Sequence, residues 1–273
     1  MLFAIKIFRI IFYLFFIICS FISAASAQDS IILTNEHKTS NTIGIKYDLT
    51  SFEKKIILPW HALSVEYTHH NKNTTAIARI NYANKFNRPG IQFEGDLYPT
   101  ITKKIYAYIN AGYSNYNGVF PKYRAGFSLY TSLPSAMEAE AGIRFLHFTS
   151  ATWIYTASVS KYLKNYWFNV STFLTPVSNR LIQSYFLKTR YYLNDKDFIM
   201  LTIGTGISPD DRNNNIQLNT NTSLSSKKAE VSLRNTFKKK NVILISAGWM
   251  NQEYEFKKFT NQYSFGIGIE RML

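Results

Sequence analysis

Residues 90–114, GIQFEGDLYPTITKKIYAYINAGYS, decide the fold. Ile91, Phe93, Gly95 and Leu97 alternate with Gln92, Glu94, Asp96 and Tyr98. Beyond a short polar turn, Ile105, Ala107, Ile109 and Ala111 alternate with Tyr106, Tyr108, Asn110 and Gly112. A period of two places each set on one face of a β-strand. One face is apolar, and the other holds two carboxylates near mid-strand. A soluble sandwich would hide the apolar face in its core, whereas a membrane barrel would turn it to lipid.

The same alternation runs from Asn41 to the last residue, with no sustained helical period. Tyr and Phe together number 40, a composition that favours strands. Strands are expected near 41–50, 60–70, 75–87, 90–99, 104–114, 121–132, 136–149, 152–163, 165–175, 181–194, 197–208, 222–238, 241–252 and 261–273. Short turns such as HHNKN (69–73), PTITK (99–103) and LKN (163–165) alternate with longer polar connections. NKFNRP, SNYNGVF, TPVSNR and SPDDRNNN are among the longer ones. That rhythm belongs to outer-membrane barrels, whose short turns face the periplasm. Fourteen strands fit it and bring both ends of the barrel to the periplasmic side. Residues 209–226 could instead hold an extra hairpin, so twelve or sixteen strands are the alternatives.

Charge alone does not separate barrel from sandwich. Arg79, Glu94, Asp96, Arg124, Glu138, Glu140, Arg144, Lys188, Arg190, Glu230 and Arg234 share the polar rows. A Lys or Arg at the lipid midplane costs about 2–4 kcal/mol, so in a barrel these rows must face inward. Aromatic residues at strand ends favour the barrel. Tyr98 and Tyr106 flank one short turn, Tyr162, Tyr166 and Trp167 a second, and Tyr191, Tyr192 and Phe198 a third. They are expected to form a girdle at the lipid–water boundary. The fold class expected is therefore all-β: a single antiparallel up-and-down transmembrane barrel over residues 41–273.

The first 27 residues set the compartment. Lys6 and Arg9 precede the apolar run Ile10–Cys19, and Ala25-Ser26-Ala27 supplies a small-residue cleavage site. This is the pattern of a Sec-type signal peptide cut near Ala27, and the run is too short to span a bilayer. An uncleaved anchor is the alternative. Residues 28–40 then form a short periplasmic segment. The only cysteine, Cys19, lies in the signal, which excludes disulfides, thiol catalysis and cysteine-bound metal in the mature chain. Removing Lys6 and Arg9 leaves 29 basic residues against 17 acidic, a net charge of +12.

Five fragments in fixed order give the chain its resemblance. They are EGDLYP (94–99), YAYINAGYS (106–114), VFPKYRAGFSLYTSLPSAMEAEAGIRFL (119–146), IYTASVSKYLKNYWF (154–168) and GTGISPDD (204–211). Together they resemble the YaiO-type outer-membrane β-barrel family. The resemblance implies the outer membrane of a Gram-negative bacterium and a place among envelope polysaccharide systems. Leu273 stands where barrel chains usually end in an aromatic residue, which implies a weaker signal to the barrel assembly machinery.

For function, Glu94, Asp96, Arg124, Glu138, Glu140 and Arg144 form the candidate site. They lie on inward rows within a run of four consecutive strands and are expected to build one lumen charge network. Such a network braces the wall, binds sugar hydroxyls or sets the selectivity of a gate. Acid/base catalysis by Glu94, Asp96, Glu138 and Glu140 is the enzymatic alternative. No G-x-S-x-G, H-E-x-x-H or zinc spacing occurs, so no catalytic residue, metal or cofactor is assigned. SPDDRNNN reads as a solvated loop, with calcium binding the lesser alternative. The expected function is a channel or accessory component in envelope or exopolysaccharide export. A barrel enzyme acting on glycan or lipid, and a structural barrel with a filled lumen, are its rivals. Expected partners are outer-membrane lipid, lipopolysaccharide met by Lys54, Lys55, Lys257 and Lys258, the assembly machinery and envelope polysaccharide. A monomer is expected, without nucleic acid.

Overall fold

The computed structural model describes residues 39–54, 58–115, 118–177, 180–214, 218, 225–255 and 257–273. The expected signal peptide and nearly all of the expected periplasmic segment after it lie outside the described residues. Fourteen antiparallel strands close into one barrel in sequence order, the first pairing with the last. They are β1 Ser40–Phe52, β2 Trp60–His70, β3 Thr74–Lys85, β4 Arg88–Pro99, β5 Ile105–Ser114, β6 Tyr123–Leu133 and β7 Met137–His147. The circle continues with β8 Ala151–Leu163, β9 Tyr166–Val177, β10 Arg180–Tyr192, β11 Phe198–Thr205, β12 Ser226–Phe237, β13 Asn241–Glu255 and β14 Lys258–Met272. Closure runs from Thr42↔Met272 to Phe52↔Gln262, so neither terminal strand is left with an open edge. β11 pairs directly with β12, so no further strand stands between them in the sheet.

Alternation assigns the faces. Ile80, Phe93, Phe127, Tyr155, Val170, Phe265 and Ile267 stand exposed on the outside. Their inward neighbours Asn81, Gln92, Glu94, Ser128, Thr156 and Ser171 are buried. An outer face this apolar is stable only against hydrocarbon, since water would leave it a large unpaired patch.

The connections on the side of the chain's strand ends at Ser40 and Met272, between β2–β3 through β12–β13, are all short. The opposite rim carries the long connections 53–59, 115–122 and 206–225. The rule for outer-membrane barrels makes this second rim the outer one. NKFNRP does not form the long loop expected of it. Lys85 pairs directly with Arg88, and Phe86 and Asn87 turn with φ of 54° and 57°. Two residues at positive φ make the tight hairpin turn whose twist suits the flanking strands.

The expected aromatic girdle also needs correction. Tyr166 and Tyr191 do face outward, with 43% and 39% of their surface exposed. Tyr98, Tyr106, Trp167, Tyr192 and Phe198 lie on inward rows and are half-buried, and Tyr162 shares the inward row of Ser158 and Ser160. The reason is parity. Each of these side chains continues the inward row of its own strand, and the adjacent pairs Tyr166–Trp167 and Tyr191–Tyr192 send one ring to lipid and one to the lumen.

Candidate functional site

The two halves of the lumen are packed differently. Near the outer rim, Trp60, Leu146, Phe148, Ile154, Phe173 and Phe186 form a buried apolar cluster inside the barrel, joined by Phe52 and Leu218. Val119 and Phe120, from the connection after β5, pack against Ala83 in a second cluster. Gln92, Ser114, Ser184, Ser226 and Gln262 complete a buried ring at this level. Toward the other rim the inward residues are mostly half-buried, as at Glu66, Tyr106, Tyr130, Arg190 and Phe198. The lumen is thus packed most tightly at its outer end and less tightly toward the end that bears Ser40 and Met272.

A charged layer separates the halves. Glu94 and Asp96 point inward from β4, and Asn110 of β5 faces Asp96 across the ladder. Arg79 reaches Glu66 at 2.5 Å, Glu94 at 3.3 Å and Asp96 at 3.1 Å. Arg124 sits 2.8 Å from Glu94 Oε1, a close ion pair without the alignment of a linear hydrogen bond. Its Nε donates to Asn110 at 3.0 Å. Arg144 lies 3.4 Å from Glu140 and donates to Ser128 Oγ at 2.8 Å. Glu140 also accepts from Ser128 and Ser158.

The arginines need room on this wall, and glycine supplies it at position 112. A Cβ there would stand 2.7 Å from Arg124 Cγ and 3.0 Å from Glu94 Cγ.

The layer is completed from outside the sheet. Residues 206–214 fold into the lumen and dock on the network, so the described part of SPDDRNNN, 208–214, is not the solvated loop expected. Arg212 Nε donates to Glu94 at 2.5 Å, and Asp210 accepts from Arg144 at 3.1 Å. Asp211 pairs with Lys228 of β12 at 2.7 Å. Buried Lys85 donates to the carbonyl oxygens of Arg212 and Asn213 at 3.0 and 2.9 Å. Among the described residues no cluster of His, Cys, Asp and Glu could hold a metal. Both aspartates of the supposed calcium loop are instead committed to cations.

The six expected residues are therefore not one group. Glu94, Asp96 and Arg124 share one cluster, and Arg144 with Glu140 joins it through Asp210, which also lies 3.8 Å from Arg124. Glu138 does not join; it accepts from Tyr106 at 3.0 Å, nearer the other rim. Arg79, Asp210 and Arg212 belong to the cluster but not to the six-residue candidate site. Arg79 was legible as the inward residue facing Glu94. Nothing local in 206–214 reveals that it docks 118 residues away in sequence.

The ties differ in strength. The Glu94 side chain is fully desolvated, so breaking its pairs costs about 3–5 kcal/mol. Asp210 keeps 38% of its side chain exposed, and its bonds are worth correspondingly less. Burial pushes the Asp210 and Asp211 carboxyls up, but the neighbouring cations outweigh it. Arg144 and Arg124 hold Asp210 below 3.8, and Lys228 holds Asp211 at about 2. Carboxyls depressed by docking favour the docked state above their free value and lose that support as pH falls through the docked value. A nitroxide at Asn213→Cys should therefore stay immobile from pH 8 to 5 and loosen only below about pH 4. Loosening between pH 8 and 5 would contradict this assignment.

The fold and its apolar exterior define a membrane β-barrel of the outer-membrane type. The YaiO membrane beta barrel domain family matches residues 40–211, more than half of the chain, and the chain belongs to that family. Comparison with curated protein sequences returns no match. Among solved structures, the chain is similar to "CymD monoaromatic hydrocarbon channel" at 7% identity and TM-score 0.58, over 86% of this chain and 89% of that one. It is similar to "Bacterial polysaccharide outer membrane secretin" at 10% identity and TM-score 0.55, over 85% and 98%. The Acinetobacter baumannii outer membrane protein Omp33 matches at 8% identity and TM-score 0.52, over 86% and 99%. At such identities the likeness is one of fold.

Proposed function

We propose that the barrel is a gated passage, or an accessory barrel, in the export of envelope polysaccharide. The observation that carries this reading is the asymmetry of the lumen. The less tightly packed half forms a vestibule at the rim of the short turns, and residues 206–214 close its outer side through ion pairs. A substrate arriving from the periplasm would meet this polar and aromatic mouth first. Ion pairs suit a closure that has to release, because water and a polar ligand can replace each of them.

The enzymatic reading is less well supported by the geometry. Glu94 Oε2 is met by Arg79, Arg212 and Asn81, and Oε1 by Arg124. Asp96 Oδ2 is met by Arg79, and Oδ1 by Asn110 and Tyr108. Carboxylates saturated in this way have little freedom to exchange a proton with substrate.

Planar-bilayer recording tests the passage. Wild-type protein should conduct weakly, with rare openings. Asp210→Asn combined with Arg212→Gln should raise the open fraction at least tenfold and leave the barrel folded. Equal, low conductance in both proteins would defeat the gated passage and favour a barrel with a permanently filled lumen.

A further inference from the structure

The vestibule wall carries features that the charged layer does not explain. Tyr106 and Tyr130, on β5 and β6, stack with ring centroids 4.5 Å apart and planes 3° from parallel. Across β8 to β11 a second group lies on the same inner wall. Trp167 faces Tyr162 at 6.4 Å, and Tyr192 packs edge-on to Phe198 at 6.0 Å. Arg190 lies between them, its guanidinium carbon 4.2 Å from the Phe198 ring centre and 4.9 Å from that of Trp167. It donates to the Tyr192 hydroxyl at 3.0 Å. Glu138 of β7, which accepts from Tyr106, faces Ser160 of β8 in the ladder, two residues from Tyr162 on the same inward row, and so stands between the two aromatic groups.

Among the described residues, the inward cations of β10 have no counterpart in the lumen. Among the described residues Arg190 forms no ion pair, and Arg190 Nε is buried without a hydrogen-bond partner. Lys188, two residues away on the same inner row, faces Asn169 and Thr202 in the ladder and pairs with no carboxylate among the described residues. Elsewhere in this lumen the described guanidinium groups are matched: Arg79, Arg124, Arg144 and Arg212 by the central carboxylates, Arg234 by Glu270 at 3.0 Å. Two unmatched cations among half-buried ring faces would be a poor way to brace a wall. They suit a ligand that brings its own negative charge and a flat apolar face.

We propose that the vestibule wall of β8–β11 is a binding track for an acidic glycan. Sugar rings would stack on Trp167 and Tyr192, and their carboxylate or phosphate groups would meet Arg190 and Lys188. A pyranose offers the needed combination, with C–H faces for aromatic rings and an equatorial rim of hydroxyls. Glu138 and the tyrosine hydroxyls beside it would take those hydroxyls. A planar guanidinium already fixed between rings is suited to a carboxylate, since less of its freedom is lost on binding. This inference rests on the reading of the barrel as a polysaccharide passage and adds the charge class of the substrate.

Tryptophan fluorescence of the folded full-length barrel in detergent tests it. Trp153 and Trp249 face outward, and Trp60 is buried at the outer end, so Trp167 is the tryptophan placed to report on the vestibule. The probes are an oligogalacturonate and a maltooligosaccharide of equal length. The acidic probe should give a saturable change that Trp167→Phe abolishes. Arg190→Gln should weaken its binding at least tenfold and Lys188→Gln severalfold, with heat-modifiable gel migration unchanged. The neutral probe should bind at least tenfold more weakly than the acidic one. No saturable change with the acidic probe, or equal binding of the two probes, would overturn the proposal. So would an Arg190→Gln protein that is folded and binds like wild type. The two readings fail separately: a silent Trp167 in a barrel that Asp210→Asn/Arg212→Gln opens removes only the acidic track. Binding at Trp167 in a barrel that never conducts removes only the passage.

Discussion

Replacing Glu94 with Gln and Asp96 with Asn together should expel residues 206–214 from the lumen. The central cluster holds five carboxylates, Glu66, Glu94, Asp96, Glu140 and Asp210, against four guanidinium groups, Arg79, Arg124, Arg144 and Arg212. The double replacement leaves three carboxylates against the same four cations, and Arg212 loses both of its wall partners. Breaking a desolvated pair costs about 3–5 kcal/mol, which at 1.4 kcal/mol per tenfold is a shift of a hundredfold or more in docking. The strands themselves keep their ladder, so the barrel stays closed while the segment leaves. Trypsin added on the outer side should then cut after Arg212 within minutes, whereas that bond resists in the wild-type chain. Glu138→Gln is the matched control, because its carboxylate bonds Tyr106 and none of the arginines. If both variants resist trypsin equally, Glu94 and Asp96 do not hold the closure.

The second large effect is expected at Gly112. Its backbone is not in the left-handed region, so the constraint is space alone. Gly112 and Arg124 are direct partners in the ladder, and a Cβ at position 112 meets Arg124 at Cγ, close to its backbone. That atom cannot swing aside without pulling Arg124 from Glu94 and Asn110. Gly112→Val should therefore combine overpacking, about 1–3 kcal/mol, with loss of a buried pair. Urea unfolding of the refolded barrel should show a clearly lower midpoint. Gly95→Val provides the contrast: Gly95 faces lipid, and a Cβ there meets only Ile77 O, 3.9 Å away. It should leave the midpoint nearly unchanged. Equal losses at both positions would point to backbone effects instead of crowding in the charged layer.

Some features of this lumen are within reach of the sequence although composition points the other way. Tyr98 continues the row of Glu94 and Asp96, and Tyr106 that of Tyr108 and Asn110. Strict parity places them inside, and composition at strand ends suggested lipid only because aromatics are common there. Grouping Glu138 with Glu140 failed for a different reason. Both share the inward row, but successive inward residues on a tilted strand stand at different depths. Glu140 thus meets Arg144 and the serines, while Glu138 meets the aromatic vestibule.

The sequence by itself determined the barrel class and its two faces, and it favoured fourteen strands over the twelve or sixteen that residues 209–226 left open. Class and faces follow from a local rule: side chains alternate along a strand, and a charge at the lipid midplane is too costly to keep. Tertiary structure alone decided how the lumen is filled. The docking of Arg212 on Glu94, the meeting of Arg144 with Asp210, and the gathering of rings around Arg190 join residues from separate strands and one connection. No period in the chain encodes them, because each depends on the depth and curvature that the closed sheet imposes on side chains far apart in sequence.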